Sequence, residues 1–257
     1  MAIIIPRPRI KPRLGARLDR QHPLSRGIAG CWLFNEMGGA KLLDLSGYSR
    51  HGSISLSSYR FDQLGVSCTN LGSFTDWISW SNLPQIGTTP GLDFTVAVTI
   101  LATSFTDSYE NLFAQSNSTG LYARSTGYVA VYTGSAINSN ATLVVGTTYQ
   151  VVWTYTVSGS THSIYINGHR DKTFSATTTF TPDRSLNDSS SETFDGRMSY
   201  ASLWARALTA SEVRWLYTEP YANVVQPVYR RYFIQSGATF QPAWAMRSSH
   251  VIGVSNA

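Results

Sequence analysis

The residues best equipped for chemistry in this 257-residue chain are two short acidic clusters, Asp107-Ser-Tyr-Glu110 and Glu192-Thr-Phe-Asp195. Two carboxylates flanking one bond can serve as acid and nucleophile, so such clusters are the first place to look for hydrolysis. Both sit among Ser, Thr and Asn and read as loops, which do not aim two carboxylates at a common point. The five histidines, at 22, 51, 162, 169 and 250, are scattered, and none stands at metal-ligand spacing beside a cysteine. No nucleophile elbow, phosphate loop or zinc-binding helix occurs. The chain therefore reads as a protein that binds and does not catalyse. Asp44, in Asp44-Leu-Ser-Gly47, is a weak candidate for a hard cation, because an Asp in this setting more often caps its own turn. A sugar contact needs an aromatic face flanked by hydrogen-bonding groups. Trp77, Trp80, Tyr109 and Tyr122 are the candidates. Trp77 and Trp80, three apart, fall on opposite faces of a strand, so one can be exposed while the other packs.

The elements that must carry these residues are short. From Gly30 onward, apolar runs are broken by turn residues, first Cys31-Trp-Leu-Phe-Asn, then 64–68, 76–80, 93–101, 111–115, 120–124 and 128–133. The clearest strand is Tyr149-Gln-Val-Val-Trp-Thr-Tyr-Thr-Val157, where Tyr149, Val151, Trp153, Tyr155 and Val157 share one face. Ser158-Gly-Ser160 turns it into His162-Ser-Ile-Tyr-Ile166, and Asn167-Gly168 predicts a type I′ hairpin, so 149–174 is a three-strand meander. One helix is expected: Thr209 as N-cap with Glu212 three residues on, a capping box, then Val213, Leu216 and Tyr217 on one face and Pro220 as a stop. Many strands and one late helix indicate an all-β, two-sheet antiparallel β-sandwich of jelly-roll type.

Charge is unevenly placed. Residues 1–26 hold seven basic side chains against Asp19, a net of +6; residues 27–219 are −4; residues 220–257 are +3, from Arg230, Arg231 and Arg247. Pro6, Pro8, Pro12 and Pro23 keep the N-terminal stretch extended. The expected organisation is a basic arm at 1–27, the sandwich at 28–219 and a C-terminal extension at 220–257, with extended arms at both ends. Arg7, Arg9, Lys11, Arg13, Arg17 and Arg20 are the residues expected to bind a partner along the arm. Nucleic acid is disfavoured because no aromatic residue is interleaved for base stacking. No apolar run approaches the length of a bilayer span, and the first residues lack the pattern of a signal peptide. The expectation is a chain made in a cytoplasm and not in contact with a membrane. Cys31 and Cys68 are two buried thiols or one disulfide, but not a disulfide framework.

Five segments in order resemble laminin G-like domains of the concanavalin A-like superfamily: Trp32-Leu-Phe-Asn-Glu36 with Asp44-Leu-Ser-Gly47 and His51-Gly52; Asp93-Phe-Thr-Val-Ala-Val98; Gly146-Thr-Thr-Tyr-Gln-Val-Val-Trp-Thr-Tyr; Ile164-Tyr-Ile-Asn-Gly168; and the stretch from Gly196-Arg-Met-Ser-Tyr through Leu-Thr-Ala-Ser-Glu-Val213. Together they cover roughly 28–219. The fold this implies hosts lectins, glycosidases, adhesion modules and viral coat parts. Glycosidases of this kind carry Glu-x-Asp-x-x-Glu on an inner strand, and this chain has none. Where relatives often place an acidic pair after the last glycine, it has Met198-Ser199-Tyr200, so no cofactor is expected and calcium is not favoured. The flanks, from His22-Pro-Leu-Ser-Arg-Gly-Ile-Ala-Gly to Leu216-Tyr-Thr-Glu-Pro, resemble laminin G-like proteins of tailed bacteriophages. That resemblance implies a virion structural protein, a capsid decoration held by its arm on the major capsid protein or other virion proteins. A fibre or tail adhesin for host surface glycans, or a free lectin-like module, is the alternative. A trimer on a local symmetry axis is the implied oligomer.

Overall fold

A computed structural model describes residues 10–225 except Met37, 55–58, 63–64, 69–77, 81–82, 116–117 and 187–191, and the backbone alone of 59–62, 65–68 and 184. In chain order the strands are β1 (Arg17–Leu18), β2 (Ile28–Trp32), β3 (Lys41–Leu42), β4 (Gly52–Ile54), β5 (Tyr59–Asp62), β6 (Gly65–Cys68), β7 (Ile78–Trp80), β8 (Ile86–Gly87), β9 (Phe94–Ala102), β10 (Glu110–Ala114), β11 (Gly120–Ala123), β12 (Tyr128–Tyr132), β13 (Ala136–Thr142), β14 (Thr148–Thr156), β15 (Thr161–Ile166), β16 (His169–Ser175), β17 (Thr179–Phe180), β18 (Arg184–Ser185), β19 (Gly196–Trp204) and β20 (Val224–Val225); the one helix is α1 (Ala210–Thr218). Two large antiparallel sheets stack. One runs β16-β15-β14-β9-β19-β6-β5, and the other β13-β12-β11-β10-β18-β7-β4-β3. The far edge of β19 is shared: Gly196–Met198 pair with β6, and Ala201–Trp204 with β2.

The meander expected at 149–174 is β14, β15 and β16, in the register Trp153↔Ile164 and Ile164↔Lys172. Asn167 and Gly168 take φ of 51° and 76°, the two left-handed residues that a type I′ turn requires. Between the sheets the core is aromatic. Phe94, Trp153, Phe180, Phe113, Trp80 and Trp32 form a chain of rings with successive centroids 4.7, 5.2, 6.4, 4.8 and 4.9 Å apart. Such tilted and edge-on pairs add to the large area each ring buries.

Strand β14 departs from the half-buried expectation. Val151, Trp153 and Tyr155 face the inter-sheet core, while Val152 enters a second cluster on the opposite face, with Leu24, Ala97, Tyr200, Trp204, Val213 and Leu216. The outer face is covered by α1, whose Leu216 carbonyl accepts from Gln150 Nε2 at 3.0 Å. The capping box is present, with Thr209 Oγ1 accepting from Glu212 N and Glu212 receiving the Thr209 N–H. Arg206 and Glu212 pair at 2.7 Å beside it.

The N-terminal segment, assigned to an arm by its Pro and Arg content, lies on the sandwich from Ile10 onward. Leu24 is fully buried in the second cluster, and its carbonyl accepts from Trp204 Nε1 at 2.7 Å. Strand β1 pairs with β20, and Asp19 N donates to Asn223 O at 2.8 Å. The segment is not the extended strip its prolines suggested: it turns at 14–15 and 20–21 and forms a single 3₁₀ turn at Pro23–Ser25, and its backbone is spent on the fold. Residues 10–27 and 220–225 thus join the unit drawn from sequence as 28–219, because the outer face of the β9–β14–β19 sheet needs more cover than α1 alone supplies. The first long strand also sits earlier than expected: β2 ends at Trp32, and Phe34 at φ 54° breaks the ladder. Cys31 is a free, buried thiol, pushed up to about 12 by that burial, while the side chain of Cys68 lies outside the described residues.

His162 is fully buried between rings, stacked on Phe174 at 4.5 Å and 2°, accepting from Trp153 Nε1 at Nδ1 and bonded through Nε2 to Ala176 O. Burial brings its pKa down to about 4, against the opposing pull of that carbonyl. Because Thr209 satisfies an orphan helix N–H, Thr209→Ala is expected to lower stability by about 1 kcal/mol in urea unfolding, with an unchanged m-value.

Candidate functional site

The site is assembled on the outer face of the second sheet. Along β11, Leu121 and Ala123 point into the core and Tyr122 points away; along β12, Val129 and Val131 point in and Tyr132 points away. The register Gly120↔Tyr132 and Tyr122↔Ala130 brings the two tyrosines to neighbouring positions over small residues. Gly120 is needed there, since a Cβ would lie 2.4 Å from Ala114 Cβ and 2.9 Å from the Tyr122 ring. Tyr109, arriving from the loop before β10, stands edge-on to both rings, 5.7 Å and 80° from Tyr122 and 5.9 Å and 89° from Tyr132. The three rings bound a pocket of about 200 Å³ completed by Ser118 and Glu192. Tyr122, nearly buried, donates its hydroxyl to Ser118 O at 3.0 Å; Tyr109 and Tyr132 are half-exposed. The Arg124 guanidinium lies 4.1 Å over the Tyr109 ring and holds it by a cation–π contact.

The two acidic clusters come together behind this pocket. Asp107 Oδ2 accepts from Thr193 N at 3.1 Å. Asp195 accepts from the Thr103 hydroxyl at 2.8 Å and from the Ser104 hydroxyl. Glu110, fully buried, takes the N–H groups of Thr106 and Asp107 on Oε1 at 2.7 and 3.3 Å, while Oε2 is buried with no hydrogen-bond partner. These carboxylates fasten the 103–109 loop, which carries Tyr109, to the segment that carries Glu192. Burial pushes Glu110 up to about 7 despite those two donors, and the charges of Asp107 and Asp195 push the same way.

Of the residues singled out for sugar contact, Tyr109 and Tyr122 meet in the pocket. Trp80 does not join them. It is 3% exposed and packs 4.9 Å from Trp32 and 4.8 Å from Phe113, so its place is in the core. Trp77 lies outside the described residues. Asp44 holds the turn: its two oxygens accept from Cys31 N, Ser46 N, Ser46 Oγ and Arg50 N, which leaves the carboxylate committed to protein donors. Of the arm residues, Arg7 and Arg9 lie outside the described residues. Lys11 donates to Phe34 O and Arg20 to Ser46 O, so both are used within the chain; Arg13 and Arg17 are exposed. Sequence reading missed Tyr132, Ser118 and Arg124 as site residues, and it named Glu192 only in an acidic cluster set aside as a loop. The alternation in Tyr128-Val-Ala-Val-Tyr132 carried a usable signal for Tyr132, because it fixes that ring on the face opposite two buried valines.

A family model for the concanavalin A-like lectin/glucanases superfamily matches residues 72–214. The chain belongs to that superfamily. No curated protein sequence matched. Among solved structures, the binding domain of botulinum neurotoxin serotype G aligns at TM-score 0.60 and 16% identity over 76% of this chain and 51% of that one. The binding domain of Paraclostridial Mosquitocidal Protein 1 aligns at 0.59 and 14%, over 77% and 53%. Trypanosoma rangeli sialidase aligns at 0.57 and 15%, over 76% and 33%. This chain therefore spans about a third to a half of the structures it resembles, and at these identities the likeness is one of fold. The fold is lectin-like, and its neighbours include the binding domains of two toxins.

Glu110 and His162 give opposite pH slopes. Glu110, raised from 4.5 to about 7, stabilises the fold below pH 4.5 and loses that contribution as pH climbs to 7; His162, lowered from 6.5 to about 4, contributes above pH 6.5 and loses it as pH falls to 4. Between pH 5 and 6.5 the two largely cancel. Glu110→Gln, which keeps an acceptor for both N–H groups, is expected to unmask a fall of about 2 kcal/mol on acidification across that interval, read by urea unfolding at stepped pH.

Proposed function

We propose that the protein is a non-catalytic recognition domain that binds a carbohydrate residue in the tyrosine pocket. The observation that carries this reading is the perpendicular setting of Tyr109 against Tyr122 and Tyr132, which gathers three rings, two of them half-exposed, around one pocket beside the polar groups of Ser118 and Glu192. A pocket near 200 Å³ suits one sugar ring, being smaller than the roughly 300–1,000 Å³ of drug-sized sites. The lectin-like fold and the toxin binding domains among its structural neighbours support the same reading. The absence of catalysis is supported by the carboxylates themselves. Asp44 and Asp195 are taken up by backbone N–H groups and hydroxyls of the protein, and Glu110 is fully buried with one oxygen holding two loop N–H groups, so none is presented to a substrate as a nucleophile. On a glycan array, Tyr109→Ala and Tyr132→Ala are each expected to weaken binding about tenfold or more with little loss of stability. Trp80→Ala is expected to destabilise the fold by about 3–5 kcal/mol and, where still folded, to keep its glycan profile. A wild-type protein that binds no glycan would refute the reading.

A second reading, decoration of a bacteriophage capsid, rests on the resemblance of the two flanks to tailed-phage proteins and on their basic charge. With Lys11 and Arg20 engaged within the chain, the grip on a shell would fall to Arg7 and Arg9. A chain lacking residues 1–9 should then lose co-sedimentation with capsids while its melting temperature is kept; full retention would reject the arm as the anchor.

A further inference from the structure

A second concavity, of about 420 Å³, lies where the docked N-terminal segment 14–20 crosses the loop at 43–51. Its apolar part includes Leu33, fully buried, and Leu14 and Leu43, which are 48% and 37% exposed. Arg17 and Arg20 stand on its rim, both exposed. Arg17 belongs to a strand held by backbone pairing, so its guanidinium plays no part in the ladder. Arg20 gives one N–H to Ser46 O at 3.0 Å and keeps others. His51 accepts the Asp44 N–H at Nδ1, so its Nε2 carries the proton and adds a donor to the wall. The lining carboxylate, Asp44, already receives its four donors. The cleft thus combines leucine side chains in contact with water with a surplus of positive donors.

We propose that this cleft docks an acidic, leucine-bearing peptide segment of a partner protein. Leucines of the peptide would cover Leu14 and Leu43, and its carboxylates would take the bidentate forks of Arg17 and Arg20. Charge selects this occupant. Beyond the described residues the chain offers residues 1–9, with Arg7 and Arg9, and residues 226–257, with Arg230, Arg231 and Arg247, and neither stretch has an acidic side chain. Like charge at the rim works against either end filling the cleft. The site is separate from the tyrosine pocket and does not depend on it.

The test uses the full chain and two labelled peptides, Asp-Glu-Leu-Leu-Asp-Glu and Lys-Arg-Leu-Leu-Lys-Arg, followed by fluorescence anisotropy. The acidic peptide should bind and the basic one should not. Arg17→Glu should weaken binding about tenfold or more, the loss of a charge-assisted fork. Leu43→Asp should abolish it, with both variants melting like the wild type. Tyr132→Ala should leave it untouched, whatever becomes of glycan recognition. Equal binding of both peptides, no binding of either, or an Arg17→Glu protein that binds normally would overturn the proposal. A concentration-dependent dimer in light scattering that Leu43→Asp dissolves would also overturn it, by making a second copy the occupant.

Discussion

The structure depends on one constraint: the sheet centred on β9, β14 and β19 is apolar on both faces and must be covered on both. The inner face meets the opposing sheet through the ring chain from Phe94 to Trp32. The outer face presents Ala97, Val152, Tyr200 and Trp204, and a nine-residue helix covers only part of that surface. The remainder is closed by the N-terminal segment, which inserts Leu24 and lends its carbonyl to the Trp204 indole. Burial of these residues and the pairing of β1 with β20 offset the entropy of ordering a chain already restricted at Pro12 and Pro23. A stretch whose charge suggested a free arm is thereby recruited as structure.

The opposite sheet is organised differently. Its inner face shares the aromatic core, but its outer face over β11 and β12 is left to small residues and tyrosines. Tyrosine suits such a position, because its ring can pack against neighbours while its hydroxyl stays hydrogen-bonded. The loop that brings in Tyr109 is tied down by the carboxylates of Asp107, Glu110 and Asp195 and by Phe105, which packs on the core. Glu110 keeps one buried oxygen without a hydrogen-bond partner, and its burial raises its pKa. The sheet edges are managed too: Asp171 on β16 accepts from Asn140 N and Ala141 N on β13, joining the rims of the two sheets by side chain and not by a continuous ladder.

Much of this was legible because it is local. The meander, its Asn167-Gly168 turn and the Thr209–Glu212 capping box are written within a few residues of each other, and each occurs where its pattern predicts. The turn at Asp44 was legible for the same reason. Strand β13, Ala-Ile-Asn-Ser-Asn-Ala-Thr, was not, since an edge strand with two polar faces lacks the alternation that reveals its neighbours. The docking of residues 10–27 was also out of reach, because its cause is the uncovered face of strands nearly two hundred residues away.

What the sequence determined by itself, then, is the central strands and the one α-helix, the superfamily and the absence of familiar catalytic motifs. What only the tertiary structure decided is which aromatic residues are available. Trp80 and Tyr122 look equivalent in a list of exposed-aromatic candidates, yet one fills the core and the other lines a pocket. Alternation tells which residues share a face of a strand, but not which face another sheet will cover. That choice is made by packing across the sandwich, where Trp32 and Phe113 claim Trp80, and Gly120 and Ala130 leave room for Tyr122 beside Tyr109 and Tyr132.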